Sequence, residues 1–153
     1  MPIKQESLTQ GGPLPEMFRR TMETPVCQAV PTRQHLLLVD DEPVIRALAS
    51  LELRGVGYRV TTAADAVQAL RLADELTLSL VILDILMPQT DGLSLLETLK
   101  QRYPKLPVVI LTGIGYTEEA MEDAARKGAD AYVSKGNAIT HLVREIRRIL
   151  GWA

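Results

Sequence analysis

Three aspartates in this 153-residue sequence each follow a short apolar run. Asp40 and Asp41 come after residues 36–39, and Asp84 comes after residues 80–83. Such runs are typical of strands buried in a parallel sheet, and ligands bind beyond the carboxyl ends of those strands. Two unit charges about 4 Å apart repel by roughly 4 kcal/mol at an effective dielectric constant near 20. We therefore expect a cation among these acids, and an all-oxygen ligand set favours Mg²⁺.

A hydroxyl and an amine are predicted at the same edge of the sheet. Thr112 closes a fourth apolar run, and Lys135 follows a fifth. No histidine or cysteine lies nearby in the sequence to activate a nucleophile for ester or peptide hydrolysis. The set is suited to phosphoryl transfer to a carboxylate, in which the amine and the hydroxyl bind phosphoryl oxygens and a metal neutralises the acids.

Strands and helices alternate five times in the residues that would position these groups. Strands are predicted at 36–39, 58–61, 80–84, 107–111 and 129–133, and helices at 42–55, 64–76, from Gly92, at 117–127 and around 139–149. Apolar residues recur at helical spacing in each helix, including Val44, Ile45, Leu48 and Leu51 in the first. This alternation predicts an α/β fold with a five-stranded parallel sheet of order 2-1-3-4-5 and helices on both faces. The switch point of that order lies between the two strands that end in the acids.

The overall composition is that of an ordinary globular domain, with 46% apolar and 24% charged residues. The net charge of -2 gives no general attraction to nucleic acid, and no apolar run is long enough to span a membrane. The single cysteine, Cys27, fits a reducing compartment, so we expect a cytoplasmic protein. Residues 1–34 hold five of the nine prolines and are predicted to be a flexible extension, followed by one domain at 35–151.

Taken in order, these motifs resemble the receiver domain of two-component response regulators. The resemblance is carried by Asp40-Asp41, Asp84, Met87-Pro88, Asp91-Gly92, Thr112, Tyr132 and Lys135, and it runs from about residue 36 to residue 150. It implies a flavodoxin-like receiver fold and a phosphorylation-dependent switch in a two-component system or phosphorelay. Such a protein is a phospho-accepting regulator rather than an enzyme, with at most slow autodephosphorylation.

The resemblance also implies a role for each site residue. Asp84 would accept the phosphoryl group. Mg²⁺ would be held by Asp41, Asp84 and the backbone carbonyl of Leu86, with Asp40 acting partly through water. Thr112 and Lys135 would bind the phosphoryl group, and Tyr132 would change rotamer as Thr112 moves. The full set expected from the family is Asp40, Asp41, Asp84, Leu86, Thr112, Tyr132 and Lys135.

The implied partners are proteins. The phosphoryl donor would be a histidine kinase or a histidine phosphotransfer protein. A downstream target would bind the surface of the fourth helix, fifth strand and fifth helix, where a homodimer could also form on phosphorylation. No linker or output domain is recognised after the last helix, so we expect function through protein contact, without direct nucleic-acid binding or membrane insertion.

Two departures from the receiver pattern have consequences. Receivers usually carry a proline after the lysine, and this chain has Gly136 there. The resemblance therefore does not predict how the turn directs Lys135 toward the site. Leu86 and Ile114 occupy the positions that flank the route of the attacking water in receivers. Neither can orient water by a hydrogen bond, so we predict slow hydrolysis of the phosphoryl group.

Two other functions compete with the signalling switch. A pseudo-receiver would bind partners without phosphorylation, and Gly136 keeps that alternative open. A phosphatase with an aspartyl nucleophile is disfavoured, because the position of its second acid is occupied by Leu86. Tyr132 could serve only for packing, and His35 is interpreted as a surface residue.

Overall fold

The computed structural model describes residues 34–87, 90–113, 117–136 and 139–151. They belong to one compact unit that spans residues 33–153. Of the predicted N-terminal extension, all but Gln34 lies outside the described residues. The division into an extension at 1–34 and a domain at 35–151 therefore stays a prediction.

The described chain alternates strands and helices. The strands are β1 (His35–Val39), β2 (Arg59–Ala63), β3 (Leu80–Asp84), β4 (Leu86–Met87), β5 (Thr90–Asp91), β6 (Val108–Thr112) and β7 (Ala131–Ser134). The helices are α1 (Pro43–Gly55), α2 (Ala66–Glu75), α3 (Gly92–Arg102), α4 (Glu118–Arg126) and α5 (Ile139–Leu150). All of the predicted elements are present, with ends that differ by a few residues.

Five strands form one parallel sheet in the order β2-β1-β3-β6-β7. This confirms the predicted fold and its 2-1-3-4-5 order. In the register between β1 and β3, Val39 lies opposite Leu83, so the residues that follow both strands reach the same edge. β4 and β5 form a separate antiparallel pair directly after β3. None of the five predicted strands covers these residues.

Side chains of the central strands alternate between two apolar clusters, one on each face of the sheet. Leu37 and Leu83 belong to the cluster covered by α2, α3 and α4, whereas Leu36 and Ile82 belong to the one covered by α1 and α5. The helix residues predicted to face inward are confirmed as buried in α3 and along much of α5: Leu95, Leu96, Leu99, Leu142, Val143 and Ile146. The sheet is therefore buried on both sides, as its apolar strands predicted.

The apolar stripe of α1 is the main exception. Val44, Leu48 and Leu51 are 69%, 55% and 67% exposed, and α1 instead buries Ser50 and Leu53. Helical spacing correctly predicts the helix, and of the four apolar residues at that spacing Ile45 alone is half-buried. When a helix has apolar residues on more than one side, its packing against the sheet determines which side is buried.

His35 is buried rather than at the surface. It is the first residue of β1, its backbone N–H donates to Ser79 Oγ at 3.3 Å, and its ring Nε2 lies 2.6 Å from Thr61 Oγ1. Burial, and next the charge of Arg59, lower the pKa of the imidazole. The surface interpretation was wrong because β1 begins one residue earlier than predicted.

Within the described ranges, no helix has the length and apolarity to cross a membrane.

Candidate functional site

Two buried aspartates lie at the carboxyl edge of the sheet. Asp40 directly follows β1, and Asp84 is the last residue of β3. Their relative exposures are 0% and 1%. Carboxylates are almost never buried to this degree without a partner, because transfer of a charge out of water is costly. The edge is therefore where compensating cations are expected.

The turn from β1 to α1 is fixed by hydrogen bonds around Asp40. Asp40 Oδ1 accepts from the backbone N–H of Glu42 at 2.9 Å, and the carbonyl oxygen of Asp40 accepts from Arg46 Nη1 at 2.7 Å. Pro43 occupies the first turn of α1, where its missing N–H costs nothing. These contacts hold Asp41, which is half-buried, beside the two buried acids.

The β4–β5 pair supports Asp84 from the other side. Asp84 Oδ1 accepts from the backbone N–H of Leu86 at 3.0 Å. Leu86 in turn lies opposite Asp91, whose side chain accepts from two N–H groups at the start of α3. Gly92 is required here, because a Cβ on it would lie 2.3 Å from the Cα of Ile85, the residue after Asp84.

Carboxylate oxygens of Asp40, Asp41, Glu42 and Asp84 all lie within 4.8 Å of one another. The three predicted acidic ligands are thus brought together, and Leu86 is two residues from Asp84. Asp40 Oδ2 is buried and has no hydrogen bond. Four clustered acids that one lysine neutralises only in part, all offering oxygen ligands, fit a hard divalent cation such as Mg²⁺. Glu42 was missed, although its place directly after two acids was a signal.

Lys135 is the cation of the cluster among the described residues. Its Nζ lies 2.7 Å from Asp84 Oδ2, 3.1 Å from Asp40 Oδ2 and 3.2 Å from Glu42 Oε1. The contact to Asp40 is an ion pair without hydrogen-bond geometry, since Asp40 Oδ2 has no such bond. The peptide bond to Gly136 is trans, and the Gly136 N–H donates to Ser134 Oγ at 3.2 Å. Replacement of the usual proline by glycine therefore leaves the amine within reach of the site.

Burial and the charge of nearby groups shift the pKa values of Asp84 and Lys135, and for each residue the two effects oppose each other. Burial raises the pKa of Asp84, and the hydrogen bond from Lys135 opposes that shift. Burial disfavours the charged form of Lys135, but the hydrogen bond to Asp84 and the charges of Asp84 and Asp40 outweigh it and raise its pKa. Lys135 therefore stays protonated at neutral pH and can bind an anionic ligand.

An open cavity of about 470 Å³ adjoins these groups. Its lining includes Glu42, Asp84, Leu86 and Lys135, so the carboxylate of Asp84 adjoins a cavity that is open to solvent. Thr112 ends β6 opposite Ser134 and thus lies at the same edge. The side chain of Thr112 is outside the described part of the chain, as are Pro88 and Ile114.

Tyr132 is not part of the acidic cluster. It lies on β7, packs half-buried in the apolar cluster under α4, and its hydroxyl donates to the carbonyl oxygen of Met121 at 3.2 Å. Burial raises the pKa of its phenol. Met121 lies in α4, so this bond connects the sheet to that helix. The coupling between the rotamer of Tyr132 and the position of Thr112 stays a prediction.

A profile of the response regulator receiver domain matches residues 36–147. The chain belongs to this family, as its fold and its edge of acids with a lysine indicate. Among solved structures, it is similar to the receiver domain of NtrX from Brucella abortus, with 36% identity and a TM-score of 0.72 over 77% of this chain and 99% of that one. It is also similar to a CheY-like receiver domain protein from Methanospirillum hungatei, with 28% identity and a TM-score of 0.74 over 78% and 95%.

Curated relatives are longer than this chain. The sequence is 36% identical over 118 residues to a protein described as a probable transcriptional regulatory protein, TcrX of Mycobacterium tuberculosis, with 75% of this chain and 49% of that protein covered. It is 40% identical over 116 residues to protein PetR of Rhodobacter capsulatus, with 76% and 48% covered. The chain thus spans about half the length of each. Membership of the family places it in two-component signalling.

Proposed function

We propose that the chain is a phosphorylation-dependent switch that accepts a phosphoryl group on Asp84 from a phosphohistidine protein. One observation carries this proposal: the ammonium group of Lys135 lies 2.7 Å from Asp84 within a buried group of acids. A buried carboxylate that is open to a cavity and paired with a lysine is equipped to receive an anionic group. Its donor would be a histidine kinase or a histidine phosphotransfer protein in the cytoplasm.

In the proposed transfer, an oxygen of Asp84 attacks phosphorus. The new O–P bond forms while the P–N bond to the donor imidazole breaks, and the electron pair of that bond returns to the imidazole nitrogen. Lys135 is close enough to bind a phosphoryl oxygen as charge builds up there. Thr112, at the end of the neighbouring β6, would bind another oxygen.

The acids have the complementary task of holding a divalent cation. Asp40, Asp41, Asp84 and the backbone carbonyl of Leu86 would hold Mg²⁺, which would offset the acidic charge that Lys135 leaves uncompensated. When bound, Mg²⁺ would neutralise the acids and the charge on the phosphoryl oxygens. The backbone N–H of Leu86 meanwhile keeps Asp84 Oδ1 oriented, leaving Oδ2 toward Lys135.

The conformational response would pass to the surface formed by α4, β7 and α5. Phosphorylation adds about 1.5 to 2 negative charges, and Thr112 and Lys135 would shift toward them. Tyr132 joins β7 to α4 through Met121, so a change in its rotamer would alter how α4 is held. Coupling of this kind is typically about 1–3 kcal/mol. That is enough to bias binding of a protein target or of a second copy.

The exposed stripe of α1 supports a protein rather than a small molecule as the donor. Val44, Leu48 and Leu51 recur three and four residues apart, so they lie on one side of the helix. α1 begins beside the acids, with Glu42 as its N-cap. A contiguous exposed apolar surface marks a protein interface. A donor protein seated on this stripe would present its phosphohistidine close to Asp84.

The two competing functions have weaker support. The pseudo-receiver was kept open by Gly136, but Lys135 contacts Asp84 despite that glycine. An aspartyl-nucleophile phosphatase needs a second acid two residues after the nucleophile, and Leu86 supplies only an exposed apolar side chain there. A non-enzymatic regulator with slow autodephosphorylation fits this site better.

Covalent labelling tests the proposal directly. The wild type, Asp84→Asn and Asp74→Asn are incubated with acetyl phosphate, with Mg²⁺ or with EDTA, and intact masses are measured. We expect one phosphoryl group on the wild type and on Asp74→Asn, whose substitution is at an exposed position of α2. Asp84→Asn and the EDTA samples should remain unlabelled. An unlabelled wild type in the presence of Mg²⁺ would favour the pseudo-receiver.

A further inference from the structure

Glu42 has no role among those proposed above, yet its side chain lies in the site. It is the N-cap residue of α1, and its side chain makes no capping hydrogen bond. Residues favoured at an N-cap are Ser, Thr, Asp and Asn, whose short side chains bond to the first free N–H groups of the helix. The side chain of Glu42 instead accepts a hydrogen bond from Lys135 Nζ at 3.2 Å. A residue that is poor for its local position but contacts a site residue is a candidate for function.

Glu42 differs from the other acidic partners of Lys135 in its exposure. Its side chain is 56% exposed, whereas that of Asp40 is 0% and that of Asp84 is 1%. Asp40 and Asp84 are fixed at their positions by hydrogen bonds from the backbone N–H groups of Glu42 and Leu86. The carboxylate of Glu42 can move into water without any buried group losing its partner. Of the three ion pairs that Lys135 makes, the one with Glu42 is therefore the one that can break most easily.

A phosphoryl group on Asp84 would need the space and the cation that Glu42 now uses. Glu42 oxygens lie within 4.8 Å of those of Asp84, and both line the same cavity. The phosphoryl group carries about 1.5 to 2 negative charges, so it would meet a like charge at contact distance. It would also need a donor from Lys135, whose ammonium group already donates to Glu42 and Asp84 and forms an ion pair with Asp40.

We propose that Glu42 is a releasable counter-ion of Lys135, which an incoming phosphoryl group must displace. Glu42 thereby slows phosphoryl acceptance on Asp84 and keeps Lys135 aligned while Asp84 is unmodified. It is a positioning residue, since it acts through Lys135 rather than on the reacting atoms. The inference rests on the proposed function and adds a regulator of its rate.

The test measures initial rates of labelling by acetyl phosphate at saturating Mg²⁺ for wild type, Glu42→Gln and Glu42→Ala. In this reaction the O–P bond to Asp84 forms, the O–P bond of the donor breaks, and acetate leaves with the electron pair. We expect both variants to be labelled roughly fivefold faster, the effect of removing one like charge at about 4–5 Å in a water-like dielectric. The advantage should shrink in 1 M salt, where the Debye length is about 3 Å.

Glu52→Gln is the matched control. It removes the same charge from the same helix, at an exposed position ten residues further along and so about 15 Å away. Its rate should equal that of the wild type.

The result can separate this inference from the proposed function. Equal or slower labelling of both Glu42 variants, with the wild type labelled on Asp84, would overturn the role of Glu42 alone. A gain confined to subsaturating Mg²⁺ would also overturn it, because Glu42 would then act on metal binding. A wild type that is never labelled would overturn the proposed function instead.

Discussion

Lys135 Nζ lies 2.7 Å from Asp84 Oδ2, although the two residues are 51 positions apart in the chain. The contact joins the residue that follows β7 to the last residue of β3. β6 lies between these strands in the sheet, so the lysine reaches across one strand to the acid. The proposed phosphorylation of Asp84 would thereby act on the edge strand β7, which also carries Tyr132.

The charge on Asp84 is expected to cost stability. Burial raises its pKa above the ordinary value of 3.8. A carboxyl group with a higher pKa in the folded state makes stability fall as pH rises from its unfolded pKa through its folded pKa. Asp84→Asn should therefore raise the free energy of unfolding at pH 7 in EDTA, and with it the melting temperature.

Thermal melts between pH 3 and 7 check this expectation. The difference between Asp84→Asn and wild type should close toward the acid side, as Asp84 becomes protonated. Lys135 itself stays protonated over that range, because its pKa is raised above the ordinary value of 10.5 by its acidic partners, Asp84 first. An Asn variant that is less stable than the wild type at pH 7 would contradict the prediction.

Gly92→Ala should disturb the support of Asp84. The added Cβ would lie 2.3 Å from Ile85 Cα, which is backbone and cannot move aside cheaply. We expect a loss of about 1–3 kcal/mol in the free energy of unfolding, typical of overpacking, and slower labelling of Asp84. Gly55→Ala is the control, since nothing lies within 4 Å of a Cβ on that helical residue. Urea unfolding measures both, and equal stabilities would be evidence against close packing at Gly92.

Tyr132→Phe should weaken the attachment of α4 to the sheet. The substitution removes only the hydroxyl that bonds to Met121 and should cost about 0.5–1.5 kcal/mol. Hydrogen exchange should quicken in residues 118–126 even without phosphorylation. Tyr103→Phe, which removes a hydroxyl bonded to Asp74 at the junction of α2 and α3, should leave exchange in α4 unchanged. Unchanged α4 exchange in both variants would mean that Tyr132 serves only for packing.

Leu86→Asn should shorten the life of the phosphoryl group. Leu86 is 46% exposed beside the cavity and cannot orient an attacking water. An amide in its place could, and one hydrogen bond is worth roughly a three- to tenfold faster hydrolysis. The loss of label is followed by intact mass after the phosphodonor is removed, with Val67→Asn on exposed α2 as control. A wild-type half-life of seconds would refute the predicted slow hydrolysis.

Leu48→Glu should distinguish phosphoryl transfer from a donor protein from labelling by a small phosphodonor. Leu48 is exposed in the middle of the α1 stripe, so a charge there should weaken a protein contact. We expect at least tenfold slower transfer from a phosphorylated histidine phosphotransfer protein, since one poorly placed charge at an interface costs several kcal/mol. Labelling by acetyl phosphate should be unchanged. Val67→Glu, on α2, is the control, and equal losses in both variants would argue against α1 as the docking surface.

Much of the fold and of the site could be predicted, because parallel strands all point the same way. Residues that follow buried apolar runs must then meet at one edge, which is why the sequence predicts that Asp40, Asp84 and Lys135 lie together. The inward faces of α3 and α5 followed from helical spacing. The short β4–β5 pair did not, since two-residue strands carry almost no pattern.

The sequence by itself thus determined the order of strands and the acidic edge, since both depend on local patterns and on strand direction. Only the tertiary structure decided that α1 turns Val44, Leu48 and Leu51 outward, that His35 is buried, and that Glu42 meets Lys135. Each of these depends on which distant element packs against a residue. Burial and ion pairing between residues far apart in the chain are properties of the packed sheet and helices, and no local pattern encodes them.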